Sequence, residues 1–190
     1  QYRFNQQIIT EHTSHRILRL DGQEKWRKKY LKDAETILDC LTNPENENYE
    51  PDNLRYYFYL AQSYFDGGDF KNAKEWYEKR AEKGGWEEEQ WYSVLRCAMC
   101  MTNMGEPWAE CQDVFLQAWN LRPERSEPLH NLARIHRMNG NPKLGYLFAK
   151  MGTQIQLPPT DVLFVSKDIY EWQIYDELAS TAWYTGDMAA

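Results

Sequence analysis

The sequence predicts an all-α fold of about four helical hairpins, and three observations support this prediction. A short pattern of apolar, small and turn-forming residues recurs along the chain, and its spacing fits pairs of antiparallel helices. Ala, Leu, Glu, Lys, Gln and Met, which suit helices, are common, whereas the β-branched residues Ile and Val are scarce. Each copy of the pattern ends at a glycine that can turn the chain, and these marker glycines are Gly68, Gly105, Gly140 and Gly186.

The composition limits the classes of protein that fit. The chain has 190 residues and a net charge of −7, which is room for one domain or a short repeat array. Aromatic residues make up 15% of it, so a packed core is attainable despite the polar composition. The acidic net charge argues against nucleic-acid binding. The sequence contains no run of about 18 apolar residues, so it predicts no membrane span. Four cysteines in helix-like surroundings favour reduced thiols, and we expect a cytoplasmic protein.

Each copy of the repeat has the features of a helical hairpin. In the first copy, Leu60 and Ala61 precede a turn at Gly68 and Asp69, and Ala73 begins the packing stripe of the second helix. A large apolar residue beside a small one lets two helices approach closely, and Gly next to Asp turns the chain. The corresponding pairs in the other copies are Cys97-Ala98, Leu132-Ala133 and Leu178-Ala179.

The repeat array is predicted over residues 52–190. Its last unit stops where a second helix should begin, which indicates a fragment of a longer protein or an atypical terminal cap. The predicted units are 52–85, 86–123, 124–156 and 168–190. The predicted helices are 52–66, 70–83, 87–103, 107–120, 125–138 and 142–154.

Three segments fall outside these hairpins. Residues 1–43 are predicted to form N-terminal helices that cap the array, because the apolar residues of 23–41 have helical spacing. Residues 43–53 are predicted to be a polar linker that contains proline. Residues 157–165 are predicted to be extended, since two prolines block a helix before an apolar run of strand-like type.

Two local patterns could hold a metal, but both are better explained by packing. Cys97 and Cys100 have the spacing of a zinc-binding pair, yet a structural zinc needs four ligands and no second pair follows. His130 and His136 are about 600° apart around a helix and face different ways. His136 also aligns with Tyr64 of the first repeat, which indicates a core position. We therefore predict no metal site and no cofactor in this chain.

Catalytic motifs are also missing from the sequence. It contains no glycine-rich phosphate loop, nucleophile elbow or HExxH stretch. Asp66 and Asp69 are expected to be solvated caps of a turn, and the acidic run Glu87 to Glu89 suits the positive end of a helix. The sequence therefore predicts no catalytic residue.

The repeat resembles the tetratricopeptide repeat (TPR), whose first helix carries a Leu-Ala or Leu-Gly pair and whose turn is similar to Gly-Asp-Tyr. Arg80 and Gly152 depart from the family, which usually places Ala at these positions. The resemblance implies an α-solenoid whose first helices line a concave face. Aromatic residues expected between the helices are Tyr64, Tyr77, Trp91 and Phe115.

The first helices supply the candidate binding residues. Arginine beside aromatic side chains is a composition that recognises peptides, carboxylates or sugars. The alternative is a solvated helix face with ordinary salt bridges. Residues predicted to line the concave face are Arg55, Phe58, Gln62, Phe65, Tyr92, Met99, Glu127, His130, Arg134, Arg137, Asp176 and Trp183.

Longer phrases carry a more specific resemblance. Several short phrases resemble the repeat region that follows the catalytic domain of family-two, GT-A-fold glycosyltransferases, and the match spans about residues 21–187. These phrases are residues 56–64, 75–80, 84–89, 122–123, 127–129, 146–150, 161–165 and 168–172. The resemblance implies that residues 1–43 are the remnant of a junction with an upstream domain. In such enzymes the upstream domain carries an acidic metal-binding motif and closes near an Asp-Gly stretch. The resemblance implies that a nucleotide-sugar and a divalent metal belong only to that upstream domain.

Two functions follow from these patterns. The first is a noncatalytic module of a glycosyltransferase that supports the transferase domain or binds its acceptor. The alternative is a free-standing repeat scaffold for protein or peptide interaction. The expected partners are therefore the upstream transferase domain, or a protein, peptide or glycan acceptor.

Overall fold

The computed structural model describes residue 22 and residues 24–187, and this part of the chain is helical without any strand. The prediction of an all-α fold is therefore confirmed. The chain divides into two compact units, residues 1–76 and 77–190, and each is described by itself. Predictions that concern residues 1–21 and 188–190 lie outside the described residues.

The first unit contains helix α1 (24–42), helix α2 (Leu54–Gly67) and the beginning of helix α3 (Phe70–Glu82). Ala34, Leu41 and Leu60 form its buried core. The linker over 43–53 is irregular, as its polar sequence predicts. Asn53 ends this linker and caps α2, because its side chain accepts hydrogen bonds from the backbone N–H groups of the first turn.

The second unit continues the series of hairpins after α3. The predicted helix boundaries agree with the structure to within about two residues, which is the usual scatter at helix ends. Its helices are α4 (Glu87–Met104), α5 (Trp108–Leu121), α6 (Glu127–Met138), α7 (Pro142–Gly152) and α8 (Ile174–Ala182). A π-helical turn (Ile169–Gln173) leads into α8, and a 3₁₀ turn (Trp183–Thr185) follows it.

The marker glycines end the first helix of each hairpin. Gly68, Gly105, Gly140 and Gly186 have φ angles of 81°, 73°, 75° and 76°, in the left-handed region that glycine adopts without strain. In each, the glycine N–H donates to the carbonyl three residues earlier. This shared geometry explains why glycine recurs at these positions.

The core of the second unit lies between the two helices of each hairpin. Trp91 and Phe115 are fully buried there, and the indole N–H of Trp91 donates to the carbonyl of Ala118 at 2.9 Å. Helices α6 and α7 approach closely, because a Cβ on Gly145 would lie 2.9 Å from the carbonyl oxygen of Ala133. Small residues at the contact therefore set the distance between helices, as the repeat pattern predicts.

The predicted packing positions are largely confirmed. Tyr77, like Trp91 and Phe115, has at most 1% of its surface exposed, whereas Tyr64 is half-buried beside the core of the first unit. Cys97 and Cys100 are buried thiols that form no disulfide, which confirms that this pair belongs to the core. His136 is 3% exposed, as its alignment with an aromatic position predicts.

The two departures from the TPR pattern have structural causes. Arg80 is 1% exposed and donates to Glu89 through Nε and Nη2, at 3.1 and 2.9 Å, and to the Gly84 carbonyl at 2.7 Å. At Gly152, a Cβ would lie 2.7 Å from Cδ1 of Ile174, so the side chain of α8 occupies the space that alanine would need. Neighbouring side chains therefore explain both departures: Glu89 pairs with Arg80, and Ile174 fills the space beside Gly152.

The segment over 157–165 interrupts the helices, as the sequence predicts. It is not helical, as its prolines require, but it forms no strand either. The apolar run finds no neighbouring strand among the described residues, and side chains of α4 and of the α5–α6 connection hold its backbone instead. We call residues 157–166 the connecting loop.

Candidate binding groove

Three neighbouring pockets in the second unit follow the first helices α4, α6 and α8. They have volumes of about 220, 210 and 190 Å³, and adjacent pockets share lining residues. Together we call them the groove. Its principal lining residues are Tyr92, Arg96, Met99, Asn131, His130, Arg134, Ile135, Met138, Phe164, Trp172 and Asp176.

An aromatic pair forms one wall of the groove. The rings of Tyr92 on α4 and Phe164 in the connecting loop have centroids 4.9 Å apart and planes inclined by 30°. The guanidinium of Arg96 lies 5.1 Å from the centroid of the Tyr92 ring. Phe164 has a φ of 46°, a left-handed conformation that costs energy in a residue with a side chain. The surrounding structure must therefore hold the loop firmly at this point.

Buried charges supply this hold. Arg125, whose side chain is 0% exposed, donates to both carboxylate oxygens of Glu127 at 2.8 and 3.0 Å and to Asp161 of the loop at 2.9 Å. Its guanidinium lies 4.0 Å from the centroid of the Trp91 ring. Burial lowers the pKa of Arg125, but the hydrogen bonds and charges of Glu127 and Asp161 outweigh it and raise the pKa above its usual value. Arg122 also donates to Asp161, at 2.7 Å.

Glu88 fastens the loop itself, and Tyr170 fastens the π-helical turn that follows it. Oε2 of Glu88 accepts hydrogen bonds from the backbone N–H groups of Val162 and Leu163, at 2.9 and 2.7 Å. The hydroxyl of Tyr170 donates to Glu127 at 2.6 Å, and both burial and the Glu127 charge raise the pKa of this tyrosine. These contacts fix the loop that presents Phe164.

The polar end of the groove lies between α6 and α8. Arg134 is exposed there, opposite the exposed Asp176 and the half-exposed ring of Trp172. His130 lies between the polar and the aromatic ends, and burial lowers its pKa, which favours the neutral imidazole. This end can therefore offer both hydrogen-bond donors and acceptors to a ligand.

The structure brings together only some of the predicted binding residues. Tyr92, Met99, His130, Arg134 and Asp176 line the groove. Three other predicted residues lie in the first unit, where the guanidinium of exposed Arg55 is 5.8 Å from the centroid of the Tyr59 ring. The side chain of Gln62 donates to Asp66 at 2.9 Å. Phe65 packs edge to face on Phe70, with 5.3 Å between the ring centroids.

Four other predicted residues are buried, are paired within the protein or lie outside these pockets. Phe58 is 1% exposed, so its ring belongs to the core. Glu127 also lines the groove, but it is 3% exposed and its carboxylate accepts hydrogen bonds from Arg125 and Tyr170. Arg137 pairs with Glu177 at 2.7 Å instead of lining a pocket of the groove. Trp183 is 72% exposed but does not line these pockets either.

Sequence reasoning missed Phe164 and Trp172. Both lie outside the regular period of the repeat, in the connecting loop and in the π-helical turn. The sequence contained one signal for each: Phe164 follows the pair of prolines in the apolar run, and Trp172 lies near the start of the last predicted unit.

Metal-binding clusters and membrane-spanning helices are both missing from the described part of the chain. Residues 22 and 24–187 contain no group of three or more His, Cys, Asp or Glu side chains arranged to hold a metal ion. Over the same residues, every helix is too short or too polar to cross a bilayer.

No protein-family model and no curated protein matches this chain. It is similar to a solved structure from Podosopora anserina of nearly identical TPR-like repeats, assigned to a putative kinesin light chain. The TM-score is 0.54 at 19% sequence identity, over 90% of this chain and 89% of that one. A single-residue variant of the same repeats gives a TM-score of 0.54 at 19% identity, over 90% and 88%. This likeness concerns the fold, and the chain has a TPR-like helical-repeat fold of the α-solenoid class.

Proposed function

We propose that this chain is a protein-interaction module that binds an extended segment of a partner in the groove. The observation that supports this function best is the continuity of the three pockets along α4, α6 and α8. A helical-repeat surface of this kind offers a rigid, pre-formed site, so a partner does not have to order it on binding.

The lining of the groove indicates the chemistry of that segment. Met99 and Ile135 offer an apolar floor, and the Tyr92–Phe164 pair offers an aromatic wall. Arg134 is exposed between them and the polar end, where it can bind a carboxylate through two parallel hydrogen bonds. We infer a segment with a large apolar residue followed by an acidic one.

A binding screen tests this function. Peptide and glycan arrays are probed with the full chain, with Arg134→Ala and with the matched control Lys143→Ala, a change at an exposed cation on α7 outside the groove. We expect peptides to bind the wild-type chain, with about tenfold weaker binding by Arg134→Ala, equal to about 1.4 kcal/mol. Equal binding by all three proteins, or binding to glycans alone, would contradict the proposal.

We also propose a specific setting for this module, as a noncatalytic part of a cytoplasmic glycosyltransferase. The support is the resemblance of residues 21–187 to the repeat region of family-two enzymes. In this setting the groove binds the transferase domain of the same polypeptide, or the acceptor. The nucleotide-sugar and the divalent metal then belong to the transferase domain.

The coding sequence upstream of Gln1 tests this setting. We expect some 200 or more additional codons that include an Asp-x-Asp motif, as a metal-dependent transferase domain requires. A start codon beside Gln1 would refute the glycosyltransferase setting and would leave the interaction module untouched.

A further inference from the structure

A second depression lies in the second unit and shares no lining residue with the groove. Two pockets, of about 350 and 210 Å³, have Ala81 and Val94 in common, and together we call them the cleft. Helices α3, α4 and α5 of the second unit form it. Its lining residues are Glu78, Ala81, Glu82, Glu87, Gln90, Trp91, Val94, Cys97, Met101, Val114, Gln117, Leu121 and Arg122.

Helix α4 forms the floor of the cleft along one of its faces. Glu87, Gln90, Val94, Cys97 and Met101 follow one another at intervals of three or four residues, which places them on the same side of the helix. At about 1.5 Å per residue, this face is about 21 Å long. A partner helix of about 14 residues has the same length, so the cleft is long enough to seat one.

The middle of the cleft is apolar. Val94 and Val114 are half-buried, and Cys97 and Met101 are buried between them. Leu121 is 58% exposed at the end of α5. A partner that covers Leu121 and the two valines removes apolar surface from water, which favours binding.

Hydrogen bonds between the helices hold the walls of the cleft in place. The side chain of Gln90 on α4 donates to the carbonyl of Ala81 on α3 at 3.1 Å. On the other side, the indole N–H of Trp91 donates to the carbonyl of Ala118 on α5 at 2.9 Å. The cleft is therefore pre-formed, and binding there does not require these helices to rearrange.

The charged residues that line the cleft are mainly acidic. Glu78, Glu82 and Glu87 are exposed along it. Arg122 is the one cation among the described lining residues, and its guanidinium donates to Asp161 at 2.7 Å. The lysines near the end of α3 do not line the cleft. A cationic segment is therefore complementary to the cleft, whereas an acidic segment is repelled.

We propose that the cleft docks a basic amphipathic helix of a partner protein. The helix lies along α4 between α3 and α5, with its apolar residues over Val94, Val114 and Leu121. Its lysine or arginine side chains lie beside Glu82 and Glu87. This occupant is opposite in charge to the segment proposed for the groove, and the two surfaces share no residue, so the inference does not depend on the proposed function.

A designed peptide can serve as the probe. It has about 14 residues, leucine and lysine at the spacing of an amphipathic helix, and a fluorescent label. The control peptide has glutamate in place of every lysine. Fluorescence anisotropy with the full chain measures both affinities. We expect the Leu/Lys peptide to bind about tenfold more tightly than the Leu/Glu peptide, and the difference to shrink at about 0.5 M salt, which screens exposed charges.

Leu121→Ser tests the apolar contact. Its matched control is Leu147→Ser, at a leucine of α7 that is 50% exposed and does not line the cleft. We expect Leu121→Ser to weaken binding of the Leu/Lys peptide about fivefold, and Leu147→Ser to leave it within about twofold of the wild type. Arg134→Ala, in the groove, should leave it unchanged.

The double variant of Glu82→Gln with Glu87→Gln tests the charges. Its control, Glu47→Gln with Glu171→Gln, changes the net charge equally at exposed glutamates that do not line the cleft. We expect the first pair to weaken binding about fivefold at low salt and the control to leave it within about twofold. Circular dichroism verifies that all variants are folded.

Three results would overturn the proposal. The first is a Leu/Lys peptide that does not bind. The second is equal binding to the wild type and to both cleft variants, which would assign it to the general acidity of the protein. The third is a wild-type dimer in sedimentation that Leu121→Ser dissociates, which would make the cleft a contact between two copies.

Discussion

At the residue scale, the second unit buries several charged side chains, and two of its buried arginines form ion pairs with buried glutamates. Arg80 is paired with Glu89 and Arg125 with Glu127, and all four side chains are at most 5% exposed. A buried ion pair contributes little net stability, but loss of one partner leaves an uncompensated charge. These residues are therefore the most sensitive single positions in the unit.

Replacement of Arg125 tests this point. We expect Arg125→Ala to lower the free energy of unfolding by about 3–5 kcal/mol, because Glu127 and Asp161 lose their buried cation. Urea denaturation followed by circular dichroism measures the change. The control Lys143→Ala should stay within about 0.5 kcal/mol of the wild type. A loss below about 1 kcal/mol for Arg125→Ala would show that water or local rearrangement replaces the ion pair.

His136 should make stability depend on pH. Burial lowers the pKa of this histidine, which contacts Trp108, Gln112 and Phe148. The unfolded chain therefore binds the proton more readily, and stability rises with pH. The contribution of neutral His136 to the free energy of unfolding is complete above the ordinary histidine pKa of about 6.5. It is lost as the pH falls through the lower pKa of His136 in the folded protein.

The variant His136→Phe isolates this effect. It keeps an aromatic ring between Trp108 and Phe148 but removes the titration. We expect the free energy of unfolding to fall less steeply below about pH 6.5 in His136→Phe than in the wild type. Chemical denaturation at a series of pH values gives both slopes, and equal slopes would assign the acid sensitivity to other groups.

Single residues also show which contacts can be predicted from sequence. The small residues Ala98 and Ala133 are buried as the local pattern predicts, because helix contacts recur with the period of the repeat. The pair Arg125–Asp161 joins residues that are 36 apart in the sequence, across an irregular loop. No periodic signal marks such a pair, so sequence reasoning did not find it.

At the scale of elements, the close contact between α6 and α7 offers a test of how the two helices of a hairpin pack. Gly145→Ala places a methyl group 2.9 Å from the backbone carbonyl oxygen of Ala133, which cannot move without displacing α6. We expect a loss of about 1–3 kcal/mol in the free energy of unfolding, despite the better helix propensity of alanine. Thermal and urea denaturation measure it.

Gly22→Ala is the matched control for that substitution. Among the residues that the structure describes, a Cβ at Gly22 would meet no atom within 4 Å, so this change should be neutral or slightly stabilising. If both variants change the free energy of unfolding by the same amount, helices α6 and α7 can move apart without loss of stability.

The helices and the connecting loop differ in how well the sequence predicts them. The helices are predictable because glycine, proline and apolar spacing mark their ends, as at Gly105 and Pro142. The connecting loop was correctly predicted as a nonhelical segment, but the sequence did not indicate which residues hold it. Its conformation depends on Glu88 and Arg125, which contact it from distant parts of the sequence.

At the scale of the whole molecule, the TPR-like fold and a part of the groove could be predicted. Tyr92, His130 and Arg134 were found because first helices present them at regular intervals. Phe164 and Trp172 were not found, because a loop and a π-helical turn present them outside the period. The resulting groove combines regular and irregular elements within the second unit.

The central claim is that the groove binds a segment of a partner protein, and nuclear magnetic resonance of the full chain tests it most directly. A peptide selected in the binding screen is titrated while methyl and side-chain signals are followed. We predict shifts at Met99, Ile135 and Arg134, with about tenfold weaker binding by Arg134→Ala. Shifts confined to residues outside the groove, such as Leu121 and Leu147, would contradict the claim.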